Sequence, residues 1–420
     1  MKSFVTSLVL ILAAAFAAFA ESSLVSARGE LPSYRWKDPV VKIYLSSSLS
    51  SGSPNIRANS DILAAVKNSL QAWSDVANIQ FQLEISDKQS VSAAGAAGDG
   101  ISLITIASTP ENVLLFAKDA QTVSAKTRAF FNRKGQITEA DIVLNPFQQF
   151  STDGSYGTFD LQSVLTHEMG HFLGLRHSEV LGSVMSDNIA KNDVTVPGEY
   201  HSRGLSEPDA AAARDLYGTA DLMDDCCAVI EGRLSSIGAR LPRSMRIWAE
   251  DAVSGRVVGQ AESNSEGGFH IGGITAGTYK VYARGRGSAL VEEIGSVELA
   301  PADQKILKKT VEFPDGGLAL QMIGIDGKLS ESAVSTNRGT RRTLFVGGRS
   351  FDQDGMIFSA NSPFIHVDAS TQTRQDRVSA VSVASFDVVI DPDTPSGIYS
   401  IFASSRTSER SVLIGAIRVE

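Results

Sequence analysis

Val40-Val41-Lys42-Ile43-Tyr44-Leu45 is apolar and β-branched and predicts a first strand. From Ser60 or Asp61 to about Ala77, Ile62, Val66, Ser69, Trp73 and Val76 recur at three- and four-residue steps, with Leu63 and Leu70 beside them. That spacing predicts an amphipathic helix with Trp73 in the core. Ile79 to Ile85 alternates apolar and polar residues as a half-buried strand does, and 86–100 reads as a loop rich in Ser, Ala and Gly. Ile101 to Ile106 predicts a buried strand. Val123–Phe131 and Ile137–Leu144 predict two more around the turn Asn132-Arg133-Lys134-Gly135. A second helix, with Leu161, Val164, Leu165 and Phe172 on its apolar face, has Asp160 or Thr158 as candidate cap. Ser206-Glu207-Pro208-Asp209 has the form of a capping box for a third, which Gly218 ends.

The second helix carries the chemistry. Three of the six histidines fall in His167-Glu168-Met169-Gly170-His171-Phe172-Leu173-Gly174-Leu175-Arg176-His177. His167 and His171, four apart, stack on one helix face, where one metal ion can take both. Gly174 can end the helix in the left-handed conformation and return His177 as a third ligand. Three imidazoles and an open fourth position describe a catalytic zinc site rather than a closed structural one. Glu168 stands where a carboxylate reaches a water at the metal. The bland alternative is a solvated helix that happens to carry histidines. Met185, downstream in Ser183-Val184-Met185-Ser186, reads either as an ordinary core residue or as the apolar base beneath the metal.

The 420 residues suggest two to four domains of ~100–200 residues. A net charge of −9, with both signs scattered and no basic patch, argues against a nucleic-acid footprint. Lys2, the apolar run Leu8–Phe19 and Ala18-Phe19-Ala20 read as a signal peptide over 1–20 cleaved near Ala20, so an exported protein, extracellular or periplasmic, is expected. An uncleaved anchor is the alternative, and its run is short of the ~20 residues that span a bilayer. No later segment is apolar enough to span a membrane. Cys226 and Cys227 are adjacent and exclude a disulfide framework; mutual bonding, intermolecular pairing and free thiols are all open.

The three-histidine pattern followed by a Met resembles the metzincin metallopeptidases. Ser178 after the third histidine, Leu205-Ser206-Glu207-Pro208-Asp209, Leu216-Tyr217-Gly218, Trp73-Ser74-Asp75 and Ala140-Asp141-Ile142-Val143-Leu144-Asn145 resemble its matrixin branch, that of the matrix metalloproteinases, in its bacterial form. Asp187 stands where other branches carry Tyr. Over 33–218 the resemblance implies an α+β metzincin catalytic domain, a twisted, mostly parallel sheet with a zinc helix. It also implies one catalytic Zn²⁺ on His167, His171 and His177, Glu168 as general base and Met185 beneath the metal. The implied function is secreted zinc-dependent endopeptidase, acting on protein or peptide substrates. The alternative is a non-catalytic exported binding or adhesion protein with a relic zinc domain. No cysteine and no histidine precede the catalytic segment, so neither a cysteine latch nor the family's structural zinc is expected. Structural Ca²⁺ is left open. It is not placed on particular residues; Asp141 or Asn145 could bind a structural cation, and a surface carboxylate and a turn residue are their plainer readings.

After an acidic linker, 219–227, the pattern turns all-β. Ser265-Glu266-Gly267-Gly268-Phe269-His270 and Ala276-Gly277-Thr278-Tyr279 make 228–302 resemble a carboxypeptidase regulatory-like, transthyretin-like β-sandwich. Residues 305–420 resemble an immunoglobulin-like domain on Phe345-Val346-Gly347-Gly348, Phe386–Ile390 and Ser396–Ile401. These two sandwich domains read equally as spacers or as binders of a surface, a polymer or the catalytic domain. His201 and His270 read as an exposed loop residue and an exposed strand residue.

Overall fold

A computed structural model describes residues 34–420 except 51, 195–202, 221–224, 237–243, 286–289, 313–316, 350–354, 376–381 and 407–408. The expected leader over 1–20, its cleavage point near Ala20 and His201 lie outside the described residues. Among the described residues, no helix is long and apolar enough to cross a membrane.

Strands β1 (Arg35–Trp36), β2 (Val40–Ser46), β3 (Gln80–Ser86), β4 (Leu103–Thr105), β5 (Ala125–Phe131) and β6 (Gln136–Leu144) make one sheet. Its order is β1-β6-β4-β2-β3, with β5 added on β6. Only the β5–β6 pair is antiparallel. The sheet is therefore the mostly parallel one expected. Among the described residues β5 pairs with β6 alone, so it is an edge strand of the sheet.

Helix α1 (Ile62–Ser74) starts on Asp61, whose side chain accepts from Ala64 N, and buries Ile62, Val66, Ser69, Leu70 and Trp73. Leu63, expected beside that face, is exposed. The short α2 (Pro110–Leu114), β7 (Phe150–Ser151) and β8 (Phe159–Asp160) were not expected, although Thr109 caps α2 and Pro110 opens it, both recognised start signals. Helix α3 (Leu161–Phe172) crosses α1, and the fully buried Trp73 donates its indole N–H to Thr166 O at 2.9 Å. Helix α4 (Glu207–Tyr217) has the expected capping box, with Ser206 and Asp209 bonded reciprocally.

The next unit has two sheets around a shared core that includes Ile230, Ile247, Phe269, Ile271 and Val281. One is β11-β10-β13-β14, from β9 (Ala228–Ser235) onward in chain order: β10 (Met245–Asp251), β11 (Val257–Glu262), β12 (Gly268–Ile274), β13 (Gly277–Gly285) and β14 (Val291–Leu299). The other is β12-β9-β15, closed by β15 (Gln304–Thr310), which pairs with β9 in parallel. The boundary expected at 302–305 therefore falls too early: β15 belongs to this unit, because β9 offers a free edge that β15 fills.

The last unit packs β16-β18-β21-β20 against β17-β23-β22-β19. Its strands are β16 (Ala319–Ile325), β17 (Val334–Thr336), β18 (Arg341–Arg349), β19 (Ile357–Ala360), β20 (Ile365–Gln375), β21 (Ser382–Ile390), β22 (Gly397–Ser404) and β23 (Arg410–Val419). Cys226 and Cys227 are bonded to each other, the first of the three alternatives.

Candidate metal centre

Helix α3 begins on Asp160, which accepts from Ser163 N at 2.8 Å and is gripped by the Arg203 guanidinium. Its other end is a Schellman motif: Leu175 N donates to Gly170 O and Gly174 N to His171 O, each at 2.9 Å. Gly174 sits at φ +95°, where a Cβ would overlap Tyr34 O. The last carbonyls of α3 find donors from distant segments. Trp36 Nε1 donates to Phe172 O at 2.9 Å and the Tyr217 hydroxyl to Leu173 O at 2.6 Å. Thus Tyr34-Arg35-Trp36 and Leu216-Tyr217-Gly218, the two ends of the N-terminal unit, meet where α3 turns towards His177.

That turn brings the three imidazoles together. Their ligand nitrogens lie within 4.8 Å of one another, and the His177 ring centroid is 5.2 Å from that of His167 and 4.6 Å from that of His171. His167 Nδ1 lies 2.8 Å from Val184 O, and His171 Nδ1 lies 2.9 Å from Leu175 O. A carbonyl only accepts, so both Nδ1 atoms carry the proton and both Nε2 atoms present lone pairs. Those two lone-pair atoms face each other at 3.1 Å. Two acceptors at that distance repel unless a cation lies between them. Tetrahedral zinc at ~2.0–2.1 Å from each nitrogen would separate them by ~3.3 Å. Burial, reinforced by the neighbouring imidazoles, pushes His167 well below the ordinary histidine range, and burial lowers His171 as well. The donor set therefore fits a divalent metal.

Glu168 is buried, and burial pushes its carboxyl up to about 7. Thr127 on β5 opposes that shift by donating Oγ1–H to Glu168 Oε2 at 2.5 Å. Thr127 was missed at the sequence level: it comes from a strand 41 residues away and no local spacing marks it. It places the edge strand β5 directly beside the carboxylate.

Met185 is buried under α3. A Cβ on Gly170 would overlap Met185 Sδ and lie 3.0 Å from Trp73 Cζ2, so the glycine between the two histidines is the space the methionine fills. The Met185 turn is tied to the segment after the third histidine by Ser178 N donating to Met185 O at 2.8 Å. It is tied to α4 by Asp209. That buried carboxylate accepts from Ser206 N at 2.8 Å and Ser206 Oγ at 2.6 Å, and also from Val184 N at 2.9 Å and from Ser183 Oγ. The acid expected to cap a helix thus also holds the turn whose Val184 carbonyl orients His167.

The other candidates resolve differently. Asp141 is buried rather than a surface carboxylate; it accepts from Leu103 N at 3.1 Å and faces Arg128, and burial plus the Glu139 charge pushes it up to about 7. Asn145 is a turn clamp whose amide donates to Ala120 O and Val123 O. His270 is half exposed on β12 and bridges Asp215 on α4 to Glu231 on β9 at 3.0 and 3.2 Å, a link between units rather than an idle strand residue.

Residues 36–218 match the family described as Matrixin. "Metalloendoproteinase 1" of Glycine max is 26% identical over 172 residues, which cover 40% of this chain and 48% of that protein. The chain thus spans about half the length of this curated relative. Among solved structures, BcpA, the major pilin subunit of Bacillus cereus, overlaps 44% of this chain and 67% of its own at 9% identity and TM-score 0.19. A C-terminal 282-residue fragment of intimin, in complex with the intimin-binding domain of its translocated receptor, overlaps 40% of this chain and 50% of its own at 13% identity and TM-score 0.16. Neither bears on the fold.

Proposed function

We propose that the matrixin-like metallopeptidase domain at 36–218 makes this chain a zinc-dependent endopeptidase acting on protein substrates outside the cytoplasm. The observation that carries the reading is the pair of unprotonated Nε2 atoms of His167 and His171 facing each other at 3.1 Å, with His177 beside them and a buried carboxylate adjacent. Zn²⁺ held there supplies Lewis-acid polarisation of the scissile carbonyl and of the attacking water. Glu168 takes the proton of that water and passes it to the leaving amine. A base poised near neutrality suits that exchange, and Thr127 keeps the carboxylate aimed. The free edge of β5 accepts an extended peptide by strand addition, which places its backbone beside Glu168. Export rests on Lys2, the apolar run Leu8–Phe19 and Ala18-Phe19-Ala20.

The test is the Glu168→Ala variant, measured for zinc content and for cleavage of an unfolded protein. We expect about one zinc per chain, as in the wild type, and no turnover, with wild-type cleavage abolished by a chelator. A wild-type chain that folds without binding zinc, or a pure Glu168→Ala protein that cleaves at the wild-type rate, overturns the reading.

A further inference from the structure

The segment between the third histidine and Met185 is not held by the peptidase domain alone. Glu179 is ion-paired to Arg246 and Arg284 of the middle unit at 2.7 and 2.9 Å. Val180 sits in an apolar cluster with Trp248, Val257 and Tyr282 of that unit and Ile398, Phe402 and Ile414 of the last. Leu181 packs on the core of the last unit and donates its N–H to Ile414 O at 2.8 Å. A Cβ on Gly182 would lie 2.6 Å from Ile398 Cγ2 and 2.8 Å from Gly415 O. Further on, Asn188 Nδ2 donates to Glu331 at 3.0 Å and Ser332 Oγ donates to Asn188 O at 3.3 Å.

The last unit departs from regular sheet at this contact. Tyr399 pairs with Ile417 but Ile401 with Leu413, so β23 bulges where it meets the loop. The bulge turns Ile414 O outward to Leu181. Gly415 within it sits at φ +61°, and a Cβ there would lie 2.5 Å from Val180 Cγ1. Gly415 N donates to Ser400 Oγ at 3.3 Å, and Ser400 donates to the buried Glu250 of the middle unit at 2.7 Å. Three residues after Gly415, Arg418 Nη2 donates to Gly182 O at 2.6 Å and reaches Gly204 O at 3.4 Å. Those two carbonyls flank the whole Met185 loop. Bulges re-aim strands at functional contacts, and this one is shaped to the loop.

We propose that the β23 bulge and Arg418 form a brace that positions His177 and Met185, so that the C-terminal β unit completes the metal centre of the peptidase. Arg418 and Gly415 are positioning residues: they touch no reacting atom and act through Gly182 and Leu181. The inference rests on the zinc-site reading given above, but on metal binding rather than on turnover.

The experiment uses the full chain. Arg418→Met and Gly415→Ala are compared with Phe386→Leu, a core change in the same unit whose ring stacks on Phe358 away from the junction. Each is measured for melting temperature, for zinc affinity against a chromogenic chelator, and for the visible spectrum of the Co²⁺-substituted site. Removing outer supports of metal ligands lowers affinity about 10–100-fold. We expect a loss of that order and an altered Co²⁺ spectrum in the two brace variants, and neither in Phe386→Leu at equal or larger loss of melting temperature. Should Arg418→Met not fold, Arg418→Lys, which keeps one donor, is read in the same way. Wild-type affinity and spectrum in the folded brace variants, or an equal change in Phe386→Leu, overturn the proposal. A wild-type chain that binds zinc but cleaves nothing overturns the peptidase reading and leaves the brace standing.

Discussion

Asp209 offers the sharpest quantitative test, because one buried carboxylate serves two elements that can be separated. It accepts from Ser206 N and Oγ at the start of α4, and from Val184 N and Ser183 Oγ in the Met185 turn. Hydrogen bonds to a charged group contribute about 1.5–3 kcal/mol each. Asp209→Ala removes the turn contacts from Val184 N and Ser183 Oγ, and the longer one from Met185 N at 3.4 Å, and leaves the Val184 amide buried without an acceptor, so local opening of the turn becomes easier by about 3–6 kcal/mol. At ~1.4 kcal/mol per decade, the Val184 amide should exchange its hydrogen about 10²–10⁴-fold faster. Ser206→Ala removes only the cap hydroxyl and costs α4 about 1 kcal/mol, which leaves Val184 within about tenfold of the wild type. Hydrogen exchange resolved at Val184 and in the first turn of α4 measures both effects in the intact chain. If Val184 in Asp209→Ala exchanges within tenfold of wild type, or if Ser206→Ala matches it, Asp209 does not hold the turn.

Gly170→Ala should lower stability by about 1–3 kcal/mol through overpacking against Met185 Sδ, and adding Met185→Ala should recover part of the loss, both read from thermal melts. A Gly170→Ala melt equal to wild type would show that the sulfur is free to move aside. Thr127→Val leaves Glu168 without its hydroxyl donor, so the base should be harder to ionise and the acid limb of the pH–rate profile should move to higher pH; an unmoved limb would sink the role given to Thr127. His270 is raised to about 9, first by its bond to Asp215 and then by Glu231. Its folded value lies above the ordinary 6.5, so its contribution is full below pH ~6.5, falls between ~6.5 and ~9 and is gone above. As the ring is half exposed, that contribution is about 1 kcal/mol or less. His270→Gln should therefore flatten the fall in melting temperature between pH 6.5 and 9, and an unchanged profile would refute the bridge.

The N-terminal unit was legible because its decisive signals are local. The spacing of His167, Glu168 and His171 is a property of one helix. Gly174 marks the Schellman turn, and the capping box at Ser206–Asp209 can be recognised within four residues. Apolar, β-branched content sufficed for β2, alternation for β3, and the turn at Asn132–Gly135 for β5 and β6. Short elements failed for the opposite reason. α2 has five residues and little apolar periodicity, so its Thr109-Pro110 start had nothing to confirm it. Asp141 was misjudged because a carboxylate in a strand gives no sign of burial; only the packing of β4 and β5 on either side of β6 supplies that.

The tail shows what local pattern cannot carry. Its strands read as strands, yet the edge filled by β15 and the bulge of β23 are consequences of partners. β15 lies where the last domain was expected to begin, and its place beside β9 depends on an edge 75 residues earlier. Gly415 reads as an ordinary strand glycine until Val180 is seen in the space its Cβ would occupy. Arg418 carries no local signal, and its hydrogen-bond partners Gly182 O and Gly204 O lie more than two hundred residues away. Both contacts converge on the loop between His177 and Met185. The candidate metal ligands can therefore be found from eleven residues, whereas the brace proposed for the loop after the third one requires the last ten.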